Sequence, residues 1–204
     1  MPNSTPFTAP TARADFDYIA RWVKPGAKVL DLGCGDGSLL RYLEETRRAR
    51  GYGVEIDFES LVDCIGNGIN VVQNDLETGL SMFESCSFDC VILSQTLQAM
   101  KHTEDIVREM LRVGREGIVS FPNFGYWRHR LQVLRGHMPV SGALPYQWYD
   151  TPNVHLCTIS DFDRFCADHG VRVIERAVLT DGRPVSFASN LMGALAVYRF
   201  DRAV

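Results

Sequence analysis

The strongest constraint on the fold lies between Lys28 and Gly37. There the aliphatic run Lys28-Val29-Leu30-Asp31-Leu32 breaks into Gly33-Cys34-Gly35-Asp36-Gly37. Val and Leu suit a buried, pleated strand, and alternate glycines allow left-handed backbone that can come close to a ligand. Leu39, Leu40 and Leu43 follow at helical spacing, with Arg41, Glu44 and Glu45 turned outward. A strand, a glycine turn and a helix in that order open a nucleotide-type α/β fold. The glycines alone do not choose the ligand, since similar turns serve dinucleotides, phosphates and plain corners. Asp31 narrows the choice: a pyrophosphate needs main-chain N–H groups, whereas an acid beside the turn suits a ligand carrying a cationic amine.

The rest of the chain keeps the same rhythm. A helix is expected over residues 15–23, where Phe16, Ile19, Ala20 and Val23 share a face. Strands are expected at 52–56, 69–73, 88–93 and 117–121, with helices over 58–66 and 103–113 between them. Ser160 is expected to cap a helix over 161–169, followed by strands opening at Val171 and covering 191–200. This alternation predicts an α/β fold: a three-layer, doubly wound, mostly parallel seven-stranded sheet with an antiparallel C-terminal edge hairpin. Residues 13–204 read as a single domain with a cap insertion at about 122–157, and residues 1–12 as a flexible tail.

Ligands of such sheets settle at the carboxyl ends of the strands. Strand one offers Asp31, Gly33, Cys34 and Gly35; strand two offers Glu55, able to accept both ribose hydroxyls, and Ile56. Strand three ends in Asn74-Asp75-Leu76, with Asp75 placed for an exocyclic amine and Leu76 for a ring face. Strand four ends in Ser94, beside an amino-acid moiety. Each acid also has a structural reading: Asp31 as a buried partner of backbone, Glu55 as an exposed strand end, Asp75 as an Asx turn. Their succession after a glycine turn points to a nucleoside, and together with Asp31 to S-adenosylmethionine or S-adenosylhomocysteine. A hydride-transferring oxidoreductase is the competing class, weakened by Ser38 where the dinucleotide fingerprint has glycine. No GxxxxGK[ST] loop is present, which disfavours a nucleotide hydrolase.

Among 204 residues, 21 basic and 25 acidic ones give a net charge of −4, which lends no support to a nucleic-acid partner. No apolar run approaches the roughly 20 residues of a membrane span, and the first eleven residues lack the pattern of a signal peptide. Six cysteines without a CxxC pair fit reduced thiols in a cytoplasmic protein. The histidines form no HxxxH or HExxH pair, so no metal site is expected.

The motifs Val29–Gly37, Gly53-Val-Glu-Ile-Asp57 and Asn74-Asp75-Leu76 resemble the cofactor motifs of class I S-adenosylmethionine-dependent methyltransferases. Phe121-Pro-Asn-Phe124, residues 127–130 and Leu144-Pro-Tyr-Gln-Trp-Tyr-Asp-Thr-Pro-Asn-Val-His155 resemble, more narrowly, the methionine-biosynthesis protein W (MetW) family. That resemblance implies a methyltransferase fold working alongside a homoserine O-acyltransferase, with Asp31, Gly33, Glu55 and Asp75 on the cofactor. It implies an accessory or regulatory role, the alternative being a genuine methyltransferase acting on a small acceptor.

Within the cap, Trp127, Leu131 and Leu134 form a short apolar stripe that can meet a partner or lie on the host domain. The aromatic segment 145–155 suits a lid, a recognition surface or a plug over the strand ends. By residue type, His155, Asp150 and Tyr149 are the general-base candidates. Cys34, with no histidine near it in sequence, reads as structural.

Overall fold

The computed structural model describes residues 13–203, so the tail expected over residues 1–12 lies outside the described part. Among the described residues there are eight strands: β1 (Lys28–Leu32), β2 (Arg50–Glu55), β3 (Asn70–Gln73), β4 (Phe88–Ser94), β5 (Gly114–Pro122), β6 (Val171–Thr180), β7 (Arg183–Pro184) and β8 (Leu195–Arg202). They form one sheet in the order β3-β2-β1-β4-β5-β8-β6-β7. The strands from β1 to β5 pair in parallel, while β8 runs antiparallel to both β5 and β6. The expected seven strands are all there, and the eighth is the two-residue β7 on the rim of β6. The expected antiparallel pair at the C-terminal edge is β6 with β8, β8 lying between β5 and β6.

Successive strand residues point to opposite faces, which splits the core into two layers. Leu30, Leu93, Tyr198 and Phe200 pack with Ile106, Met110 and Phe162 on one side of the sheet. Val29, Ile92 and Val197 pack with Phe16, Ile19, Leu39 and Leu43 on the other. Each fully buried side chain of this kind contributes roughly 1.5–3 kcal/mol before the entropy of ordering it. The second layer is covered by α1 (Ala14–Trp22) and α2 (Ser38–Arg47), and the first by α4 (Thr103–Val113) and α6 (Ile159–Asp168). A further helix, α3 (Phe58–Gly66), begins at Asp57, whose carboxylate accepts the Ser60 N–H.

Two local expectations change. Helix α6 starts at Ile159, and its cap is Thr158 rather than Ser160: the Thr158 hydroxyl accepts the Asp161 N–H and the Asp161 carboxylate accepts the Thr158 N–H. Both Thr158 and Ser160 have an acid three residues on, Asp161 and Asp163, but the Asp163 carboxylate is taken by Arg176 Nη1 and the Tyr198 hydroxyl, which leaves the cap to Thr158. The last strand begins at Leu195, because residues Ser189–Met192 form a helical turn, α7. The apolar run is continuous across that boundary, so periodicity could not mark it. In the region 122–157 the helix is α5 (Trp127–Leu134), which carries the Trp127, Leu131 and Leu134 stripe.

Candidate functional site

Strand order reverses between β1 and β4, and their carboxyl ends face the glycine turn. The turn is left-handed at Gly33, Gly35 and Gly37, with φ of +68°, +56° and +78°. The N–H groups of Gly33 and Cys34 both donate to the Val54 carbonyl, at 2.8 and 3.2 Å, which folds the turn against β2. A Cβ on Gly33 would come within 2.8 Å of Thr96 Cγ2, so this position needs glycine on steric as well as backbone grounds. Glu55, 8% exposed at the end of β2, braces the turn from below. Its carboxylate accepts the N–H of Gly35 at 2.8 Å, of Ile56 at 2.8 Å and of Asp57 at 3.0 Å.

Two adjoining cavities open above this turn. The larger, about 560 Å³, is lined by Gly33, Glu55, Ile56, Asn74, Asp75, Leu76 and Ser94, and by Tyr146 and Asn153 from the cap. The smaller, about 300 Å³, is lined by Asp31, Gly33, Cys34, Gly35 and Ser94. The ten residues that the sequence suggests for a cofactor therefore all line one cavity or the other. Asp75 also fills its structural role, accepting the Glu77 N–H at 2.9 Å as the cap of a short 3-10 turn. Asn74 holds the Asp75 and Gly79 carbonyls.

Asp31 is 2% exposed, and its Oδ1 has no hydrogen-bond partner among the described residues. Burial pushes its carboxyl up to about 7; Arg13 pulls it down, while Glu55 and Asp15 add to the rise. A buried acceptor without a donor is costly, and this one lines a cavity large enough to receive a donor. Glu77 Oε2 and Gln98 Oε1, on residues of the larger cavity, are likewise buried and unpartnered. The cleft is thus rich in acceptors and suits a ligand with several N–H or O–H donors and a positive charge near Asp31.

Sequence reasoning missed Arg13 and Asp15. Arg13 lines both cavities. Its guanidinium donates to Asp15 through Nε at 3.2 Å and Nη2 at 2.7 Å, and to Ser94 Oγ at 2.6 Å. Asp15 is fully buried and also accepts from the hydroxyls of Ser94 at 2.9 Å and Ser120 at 3.0 Å. Burial alone would raise the Asp15 carboxyl, but Arg13 and the two serines outweigh it and hold it below its ordinary value. The signal was in the sequence: Asp15, Ile19 and Val23 fall at i, i+4 and i+8, which places a carboxylate on the core face of a helix.

The three general-base candidates do not line either cavity. His155 is exposed, with Nε2 3.2 Å from the Lys101 carbonyl. Asp150, also exposed, accepts the Gln147 N–H, and Tyr149 is 70% exposed against Trp148. Cys34 Sγ sits 3.6 Å from Cys64 Sγ, and burial raises its thiol far above the ordinary range, which disfavours the nucleophilic thiolate. A histidine the sequence did not single out, His129, is fully buried between the Asn123 carbonyl and the Ser141 hydroxyl. It pins α5 to the cap, and burial lowers its pKa. Among the described residues no three His, Cys, Asp or Glu side chains converge to hold a metal, and no helix is long and apolar enough to cross a membrane.

The sequence matches the family described as methionine biosynthesis protein MetW over residues 13–200. This chain belongs to the MetW family. Within it, a relative from Rhodopirellula baltica, the bifunctional methionine biosynthesis protein MetXA/MetW, is 40% identical over 161 residues. The match takes in 74% of this chain but 26% of that protein, so the chain corresponds to about a quarter of its relative's length. Among solved structures, an S-adenosylmethionine-dependent methyltransferase from Mesorhizobium loti superposes with a TM-score of 0.68 at 16% identity, covering 94% of this chain and 99% of the other. A TehB-like enzyme of the same class from Corynebacterium glutamicum gives 0.63 at 16% identity, covering 94% and 88%. One from Aquifex aeolicus gives 0.63 at 15%, covering 93% and 90%. At these identities the likeness establishes the class I methyltransferase-like fold, and the family ties this MetW chain to methionine biosynthesis.

Proposed function

We propose that this MetW protein binds S-adenosylmethionine or S-adenosylhomocysteine in the cleft at the glycine turn and acts, in the cytoplasm, as an accessory or regulatory partner of a homoserine O-acyltransferase. The unpartnered Oδ1 of Asp31 carries the cofactor half of this reading, since a cationic α-amine satisfies both its missing hydrogen bond and its charge. Glu55 and Asp75 stand at the next two strand ends for ribose and adenine, with Ile56 and Leu76 beside them in the cleft wall. When bound, S-adenosylmethionine would supply an electrophilic methyl group; the chain's own part is to hold and orient it.

The partner half rests on the relative whose single chain joins MetXA to MetW. Its physical logic is feedback: a ligand made from the pathway's end product biases a partner through differential affinity for two states. Trp148, 72% exposed, and Tyr149 present the kind of aromatic surface that anchors protein interfaces. The test mixes purified acyltransferase with this protein, with and without S-adenosylhomocysteine, and measures acylation rate and complex formation. Absence of a complex together with an unchanged rate would remove this reading.

One observation favours methyl transfer instead. The larger cavity continues beyond the strand ends to Ala143, Pro145, Tyr146, Pro152 and Asn153, leaving room for an acceptor under the cap. Against it, His155, Asp150 and Tyr149 all stand outside the cleft. Formation of S-adenosylhomocysteine from S-adenosylmethionine across a panel of small hydroxyl, amine and carboxylate acceptors decides between the two.

A further inference from the structure

Residues 145–153 of the cap have two sides that meet different surroundings. Tyr146 and Asn153 line the larger cavity, whereas Trp148 and Tyr149 between them are 72% and 70% exposed and pack edge to face at 5.6 Å. The ends of this segment are held. At its entry Leu144 is buried and exchanges backbone hydrogen bonds with Ser141, whose hydroxyl meets the buried His129 at 2.8 Å. At its exit the N–H groups of Val154 and His155 both donate to the Gln98 carbonyl, at 2.8 and 3.0 Å. The middle is not held: among the described residues its hydrogen bonds stay within the segment, between Gln147 and Asp150 and between Asn153 and Thr151. The Tyr146 hydroxyl and the Asn153 side-chain amide make none there, though both belong to the cavity wall. Gln98 joins the two sides, because its carbonyl holds the end of the segment while its buried Oε1, on a residue of the same cavity, lacks a partner. Pro145 and Pro152 stiffen the backbone at either end, so ordering at Tyr146 and Asn153 reaches Trp148 and Tyr149 over only a few residues.

We propose that residues 145–153 form a strap that passes occupancy of the cleft to the acyltransferase: a ligand in the larger cavity gives Tyr146, Asn153 and Gln98 the hydrogen bonds they lack, orders the strap, and fixes Trp148 and Tyr149 in the geometry that docks. This rests on the accessory-partner reading and supplies its regulation; the relative whose single chain joins MetXA to MetW supports that choice of partner. A segment already ordered by one ligand loses less freedom when a second one binds it, so the two strengthen each other without any contact between them. Linkage makes the effect reciprocal, and couplings of this kind are typically about five- to 150-fold.

Two measurements on the full chain test this. Amide hydrogen exchange of the wild type, with and without saturating S-adenosylhomocysteine, should show the amides of 146–151 and 153 slowed at least about fivefold by the ligand. Calorimetric titration with S-adenosylhomocysteine, alone and with saturating acyltransferase, gives the coupling factor, expected to be at least about fivefold. Trp148→Ala should bring that factor towards one from the partner's side and Tyr146→Ala from the ligand's side, a change in a ratio that simple destabilisation does not produce. If the ligand and the acyltransferase both bind but strap exchange stays the same, or the coupling factor is one, the strap is overturned and the accessory-partner reading stands. A coupling factor that survives both substitutions also overturns it. If S-adenosylhomocysteine does not bind, or no complex with the acyltransferase forms, both readings fall.

Discussion

Asp31 makes the fold less stable than it could be, and the size of that cost can be worked out. The carboxyl is held at about 7 in the folded chain, chiefly by burial, and titrates near 3.9 in an unfolded one. The folded state therefore keeps its proton more tightly. Stability is full below about pH 4, declines between about 4 and 7 as the unfolded chain ionises first, and levels off above that. The gap corresponds to about 4 kcal/mol in the ligand-free protein, a large part of the roughly 5–15 kcal/mol that stabilises a typical domain. Asp31→Asn keeps the shape and removes the titration. Urea unfolding of both proteins at about pH 5 and about pH 8 should show the difference moving by about 2–3 kcal/mol in favour of the variant at the higher pH. Saturating S-adenosylhomocysteine should restore much of the wild-type loss and stabilise the variant by less. Because a free α-amine titrates at about 7.7–8.0, ligand affinity should peak between about pH 7 and 8 and fall on either side. A stability difference that is the same at both pH values would mean that the buried carboxyl is not ionising against the fold, and the reasoning would be refuted.

Gly33→Ala places a Cβ at a φ of +68° and 2.8 Å from Thr96 Cγ2; it should cost about 1–3 kcal/mol in denaturant unfolding and abolish S-adenosylhomocysteine binding in calorimetry. Thr158→Ala removes the reciprocal cap of α6 and should cost about 0.5–2 kcal/mol, with ligand affinity unchanged because no residue of the helix lines either cavity. Trp148→Ala, at a side chain 72% exposed, should leave stability within about 0.5 kcal/mol while weakening acyltransferase association by at least about tenfold in surface-immobilised binding.

The sheet and the glycine turn were readable because each rests on local rules. Strand and helix periods differ, and few turns combine three glycines with an acid. The strand-end acids Asp31, Glu55 and Asp75 followed from chain position alone, since the fold places those ends side by side. Arg13 was missed because its role depends on Asp15, Ser94 and Ser120, which meet only once α1 crosses the ends of β4 and β5. The general-base candidates were chosen by residue type within an irregular segment, and irregular backbone offers no period from which to infer which side chains face inward. The Thr158 cap was not legible, because Ser160 has an acid at the same spacing, and Asp163 is drawn away only in the folded chain by Arg176 and Tyr198.

The position of β8 has a consequence for how the molecule assembles. Among the described residues β6 finds its ladder partners in β7 and β8, so it is joined to the rest of the sheet through residues 195–202, which lie beside β5. Without β8 in place, β5 presents an open edge able to recruit strands from other molecules. Clipping the chain just before Leu195 would therefore remove an interior strand, with fully buried Tyr198 and Phe200, where most proteins lose only a frayed end.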